Sequence, residues 1–210
     1  MPHHGPVALV DVVTSIADRF GVVVIVTLIA GIPLGVLIAF ALGRHRIRRG
    51  WTRDAAWRST IAEVGMVVGT LPWVWMIMTP TGGAGGLQLV PFRDLLRVLA
   101  GDDAVVQLVG NLLVFAALGF FLPVRFRLGR PSAVVSIVTL VAAALSAVLE
   151  MLQLVLHLGR VTSVDDVIVN AAGAGIASLL SIAWWRSRRA PHDAPIDSVP
   201  STPRDPRPAA

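Results

Sequence analysis

EMLQLVLHLGRVTSVDDVIVNAAGAG, residues 150–175, decides how this chain is read. It sets an acid, an amide, an imidazole, a guanidinium and two adjacent aspartates between two long apolar runs. The chain has only two glutamates, Glu63 and Glu150, and both stand in otherwise apolar surroundings. An ionisable side chain inside a membrane segment costs about 2.5–3.5 kcal/mol on insertion scales, so such residues persist where they are used. Apolar flanks on either side make this stretch a connection between two membrane-crossing helices.

Working outward, 55% of the 210 residues are hydrophobic and the mean hydropathy is +0.73, values of a membrane protein. A bilayer core needs about 20 helical residues. Five apolar runs meet or approach that length, near 21–42, 61–79, 106–124, 133–157 and 164–185. The predicted fold is therefore all-α and polytopic, with about five transmembrane helices in one membrane domain, 21–185. Pro33 and Pro72 should kink the first two helices, because each removes a backbone donor and crowds the preceding turn. Residues 1–20, apolar but broken by Asp11, Asp18 and Arg19, read as an interfacial segment. Residues 80–105 open with TGGAGG and continue as VPFRDLLRVL, a turn leading into a short amphipathic helix on the membrane surface. Beyond 186 the chain holds six prolines within 191–210 and is predicted to be a disordered tail.

Orientation follows from the arginines. All 18 basic residues are Arg, and most flank apolar runs, so the formal charge of +5 points to membrane topology and away from nucleic acid. Clusters at Arg44–Arg58, Arg125–Arg130 and Arg186–Arg189 fall on one side of a five-span bundle; the intervening loops are acidic or near neutral. The N-terminus is thereby placed outside and the C-terminus inside a cell membrane. No basic segment precedes the first apolar run, so a cleaved signal peptide is not expected. Cysteine is absent, which removes disulfides, thiol nucleophiles and Cys-ligated metal.

With this topology, Asn111, Glu150 and Asn170 lie at comparable depth on three helices in the outer half of the membrane, about one to two turns from the helix ends. Gln153 and His157 share the face of Glu150, as does Ser146 one turn away. Asp166 and Asn170 also share a face, followed by Gly173 and Ala177 at a spacing that admits a close neighbouring helix. Asp165 and Asp166 fall at a helix N-terminus, where one of them, or Ser163, is expected to cap. Arg160 is the cation of an otherwise acidic outer loop, which favours a specific pairing. His157 reads as an interfacial residue complementing a helix C-terminus, and Glu63 as a snorkelling partner of Arg58. Trp73, Trp75, Trp184 and Trp185 read as interface belts.

The order of these residues resembles the VanZ-like family of membrane proteins over about residues 88–182. The resemblance is carried by Pro91-Phe92, NLLVFAALGFFLP from Asn111 to Pro123, Glu150 and Gln153, Gly159-Arg160, Asp165-Asp166 with Asn170, and Gly173 with Gly175. Ala117 stands where the family often has proline, and Ser163 where a further aspartate is common. The resemblance implies an integral membrane protein of the bacterial envelope. It also implies a link to resistance to glycopeptide antibiotics, teicoplanin in particular, which is a phenotype and not a mechanism.

The expectation is an outward-facing polar pocket, formed by Asn111, Glu150, Gln153, Arg160, Asp165, Asp166 and Asn170. It would engage a lipid-linked or amphiphilic ligand at the outer leaflet, such as a glycopeptide antibiotic or cell-wall precursor. Membrane lipids are the expected surroundings, and no cofactor or resident metal is called for. Two readings of other classes stay open. One is a membrane enzyme in which the Glu and Asp residues act as base or hold a divalent cation, although no His-Glu-x-x-His or Gly-x-Ser-x-Gly motif is present. The other is a proton- or cation-coupled transporter in which Glu150 titrates.

Overall fold

The computed structural model describes residues 21–93, 95–96, 104–126 and 130–189. The predicted interfacial segment 1–20 and the Pro-rich stretch from 190 onward lie outside the described residues, as do Asp94, Arg97, Asp102, Asp103 and Arg127. Five helices are long and apolar enough to cross a membrane, at Gly21–Arg48, Arg53–Met78, Gln107–Phe126, Pro131–Val155 and Val164–Trp184. They coincide with the five predicted runs.

The first helix, α1 (Gly21–Arg48), meets its proline in an unexpected way. Thr27–Gly31 form a π-helical turn in which the Ile32 N–H donates to Thr27 O, five residues back. Pro33 has no N–H, and a widened turn just before it removes the crowding that a regular turn would impose. By contrast, α2 (Arg53–Met78) carries Pro72 in its interior without interruption. The third span is two pieces, α3 (Ala104–Val114) and α4 (Ala116–Phe126), parted at Phe115. The Gly119 N–H donates to Phe115 O at 2.8 Å, so the helical ladder resumes at once. This break occurs without a proline at position 117. The last two helices are α5 (Pro131–Val155), with proline in its first turn where a missing donor costs nothing, and α6 (Val164–Arg189).

The centre of the bundle is α6. Half of its membrane-length window is buried, against 6% for α1 and for α2. It packs on α3, α4 and α5, while α2 packs on α4 and α1 leans chiefly on α2. Small residues make the central crossing possible. A Cβ on Gly119 would meet the Ala174 backbone, and one on Gly173 would meet the Leu112 backbone, so these helices touch main chain to main chain. Around that contact Val114, Phe115, Val134, Val138, Ala142 and Ala174 form the core. Trp73 packs against this core instead of joining the interfacial belt, whereas Trp75 and Trp184 are exposed.

At the arginine-rich end, Glu63 receives the Arg46 Nη2 at 2.6 Å and the Arg125 Nε at 2.5 Å, linking α1, α2 and α4. The sequence suggested Arg58 of the same helix; five residues apart, however, puts two side chains on different helical faces. At the opposite end lies the main departure from the all-helical expectation. Gly86–Gln88 (β1) and Val161–Ser163 (β2) form a parallel strand pair, with Gly86, Leu87 and Gln88 opposite Val161, Thr162 and Ser163. Three-residue strands joined across such a sequence distance leave no alternation long enough to read.

Candidate functional site

The connection from α5 to α6 begins with a helix terminus of the Schellman type. The His157 N–H donates to Leu154 O and the Leu158 N–H to Gln153 O, and His157 takes the left-handed conformation, φ +51°. Glycine is the residue that suits this position, because a Cβ there crowds the following carbonyl by about 1–2 kcal/mol. The exposed imidazole is thus a terminus residue. His157→Gly should raise thermal stability in detergent by about 1 kcal/mol; a lower melting temperature would show that the ring has another task.

Two residues on, Gly159 has φ +71°, and a Cβ would run into Thr81 O and the Gly83 backbone. The segment after α2 crosses the loop here. The Thr81 N–H donates to Leu158 O at 2.8 Å, and its hydroxyl to Gly159 O at 2.8 Å. The Gly159-Arg160 pair therefore marks a backbone crossing, from which the chain enters β2.

The start of α6 is an altered capping box. Ser163 is the N-cap, its Oγ accepting the Asp165 N–H at 3.2 Å. In the usual box, an acidic side chain at the third helical residue, here Asp166, would reach back to the Ser163 N–H. That N–H instead donates to Glu150 Oε2 at 3.0 Å, from the last turns of α5. The Thr162 hydroxyl donates to Glu150 O at 3.3 Å beside it. Because Glu150 supplies the acceptor, Asp166 is released to accept a hydrogen bond from Asn111 Nδ2 of α3, at 2.5 Å.

Asp165 does something else again. Its two carboxyl oxygens accept the Phe92 N–H at 2.5 Å and the Leu95 N–H at 2.9 Å, so it caps the helical turn that follows Pro91. Phe92 sits at φ +64°, rare for a bulky side chain, and the capping carboxyl holds it there. Of the three residues expected as candidates to cap α6, Ser163 does so, while Asp165 caps the turn at Phe92. Gln153 Nε2 donates to Ile77 O at 3.1 Å, satisfying a carbonyl in the last turn of α2. Asn170 Nδ2 donates to Ser146 Oγ at 2.8 Å, joining α6 to α5 deeper in the bundle, while Asn170 Oδ1 is buried without a hydrogen-bond partner among the described residues.

The seven candidate residues thus gather at one end, but in linked pairs and not as one open pocket. Glu150, Gln153, Asp165 and Asn170 are each under 9% exposed. Asn111, Arg160 and Asp166 are half-buried. A cavity of about 10 Å³, room for one water, lies among Leu95, Gln107, Asn111, Asp165, Asp166 and Val169. Among the described residues the Arg160 guanidinium has no hydrogen-bond or ion-pair partner. No group of three or more His, Cys, Asp or Glu among the described residues is placed to hold a metal ion. Sequence reasoning missed Thr81 and Thr162, whose partners are backbone carbonyls.

The VanZ/LLP1 family model matches residues 61–185, more than half of the chain. The chain belongs to the VanZ/LLP1 family. The match extends further toward the N-terminus than the motifs at 88–182, and takes in most of α2 as well as the whole polar end. Every pairing above that joins α2, α3, α5 and α6 therefore lies within the VanZ/LLP1 region; α1 lies before it. No curated protein and no solved structure matches the chain.

Proposed function

We propose that this VanZ/LLP1 protein lies in the cell membrane with its N-terminus outside, and engages an amphiphilic ligand at the outer leaflet through the rim of the polar end. The supporting observation is the contrast between Arg160 and its acidic neighbours. Glu150 and Asp165 spend carboxyl oxygens on backbone N–H groups, whereas the half-buried Arg160 guanidinium has no partner among the described residues. A planar cation at a membrane surface suits a phosphate or carboxylate, which it can hold by two parallel hydrogen bonds. Asn111 and Asp166 stand at the same end and supply an amide and a carboxyl for the ligand's polar groups. Glu150, Gln153 and Asn170 act in this reading as the scaffold that fixes the rim.

A lipid-linked cell-wall precursor and a lipid-anchored glycopeptide antibiotic both combine such anionic groups with an acyl or prenyl chain. Arg160→Gln should reach the membrane at wild-type levels and reproduce the effect of deleting the protein. Both should alter the inhibitory concentration of teicoplanin-type drugs more than that of vancomycin-type drugs. Equal shifts for the two drug types, or a fully functional Arg160→Gln, would reject the proposal. Orientation is checked separately: reporters fused after Arg49 and Arg130 should report the cytoplasm, and one after Asp103 the exterior.

A further inference from the structure

A second feature lies away from the polar end, on the side of the bundle where α1 leans on α2. The two helices enclose an apolar groove of about 630 Å³, lined by Thr27, Gly31, Leu34, Val64, Val67 and Leu71 among others. Its lining runs along α2 from Glu63 to Trp75. Twelve helical residues at about 1.5 Å each give a length of about 18 Å. Half of a bilayer's hydrocarbon core is about 15 Å. The groove is therefore about as long as one leaflet's acyl chain, and its lining begins on the arginine-rich side at Glu63.

Its polar terminus is charged in a particular way. Glu63 is the only acidic residue among the described ones that line it, and that carboxyl group is shared by two guanidinium groups, Arg46 and Arg125. One negative charge against two positive ones leaves a net cation where a lipid phosphate would sit. Arg46 also donates to Thr60 Oγ1 at 3.0 Å and lies over the Trp51 ring, which fixes its side chain in place. Arg44, Arg48, Arg49 and Arg53 stand where α1 ends and α2 begins, on the same side of the bundle. Basic residues at a membrane surface attract anionic lipid by about 1 kcal/mol each.

From this geometry we infer that the α1–α2 groove is a binding site for one anionic phospholipid of the leaflet at the arginine-rich end, with an acyl chain along α2 and the phosphate at the Arg46–Glu63–Arg125 cluster. Gly31 offers a clean way to close it. A Cβ there meets only atoms of α1 itself, the nearest at 3.6 Å, so a larger side chain enters the groove without striking α2 at its root.

The test is native mass spectrometry of the full chain released from nanodiscs of equimolar phosphatidylglycerol and phosphatidylcholine. The unmodified protein should retain phosphatidylglycerol over phosphatidylcholine by about fivefold, the ratio that about 1 kcal/mol of attraction produces. Arg46→Gln should remove that preference. Gly31→Phe should reduce the retained lipid of both kinds while leaving the helical circular dichroism unchanged. Should Arg46→Gln fail to fold, Gly31→Phe alone decides, since it leaves the ion cluster intact. Unchanged lipid retention in Gly31→Phe would overturn the inference, as would equal retention of the two lipids by the unmodified protein. Dimers lost in Gly31→Phe with lipid retention unaltered would assign the groove to a second copy, and would overturn it too. The Arg160 reading concerns the opposite end, so neither result bears on the other.

Discussion

Asp165→Ala should detach the segment around Phe92 from the bundle and cost about 3–5 kcal/mol of stability, since two hydrogen bonds to one buried carboxyl disappear and their N–H donors are orphaned. The turn's own backbone hydrogen bonds, Arg93 N–H to Val90 O at 3.4 Å and Leu96 N–H to Phe92 O at 3.0 Å, do not tie it to α6, so the loss should be local first and global second. Hydrogen exchange at the Phe92 and Leu95 amides should accelerate at temperatures where α5 and α6 remain protected. Asp165→Asn keeps one carbonyl acceptor and should fall between the two, which separates the cap from any need for charge. Wild-type exchange at both amides in Asp165→Ala would remove the cap from the account.

The second large effect concerns the central crossing. Gly173→Ala places a methyl group against the Leu112 main chain, where nothing can rotate away, and should cost about 1–3 kcal/mol by overpacking. Gly173→Leu should prevent accumulation of folded protein. Gly110→Ala is the matched control in the neighbouring helix α3: its Cβ would meet nothing within 4 Å, and alanine is the better helix former by about 1 kcal/mol. Thermal unfolding in detergent should therefore move the two alanine variants in opposite directions. Equal melting temperatures would mean that the helices separate more easily than their main-chain contact implies.

The five spans were legible because each is a long apolar run bounded by arginine or by loop residues, a signal that survives in any single sequence. Helical rise suggested a common depth for Asn111, Glu150 and Asn170, yet Asn111 pairs with Asp166 one turn before Asn170, and Asn170 pairs with Ser146 one turn before Glu150. Partner choice was not legible. Asp165 and Asp166 are adjacent and chemically identical, so nothing local says that one caps a distant turn while the other accepts from Asn111. The capping-box spacing from Ser163 to Asp166 is present, but Glu150 occupies the N–H that the box would use. Glu63 had a nearby arginine in sequence and two better-placed ones in space. The left-handed conformation at His157 and Phe92 also escaped detection, because neither residue type announces it as glycine would.

The central position of α6 has a consequence for biogenesis. It is synthesised after the other four described spans, yet it, or the strand entering it, carries the partners of several polar groups made earlier: Asp166 for Asn111, the Ser163 N–H for Glu150 and Asn170 for Ser146. Until α6 leaves the insertion machinery, those groups sit in lipid without the contacts that make them tolerable. The four earlier described spans thus lack these three partners until α6 joins them, and α6 works as a closing key. Chains truncated before Ser163 carry every earlier span and none of these partners, which makes them natural clients of membrane quality control rather than smaller functional proteins.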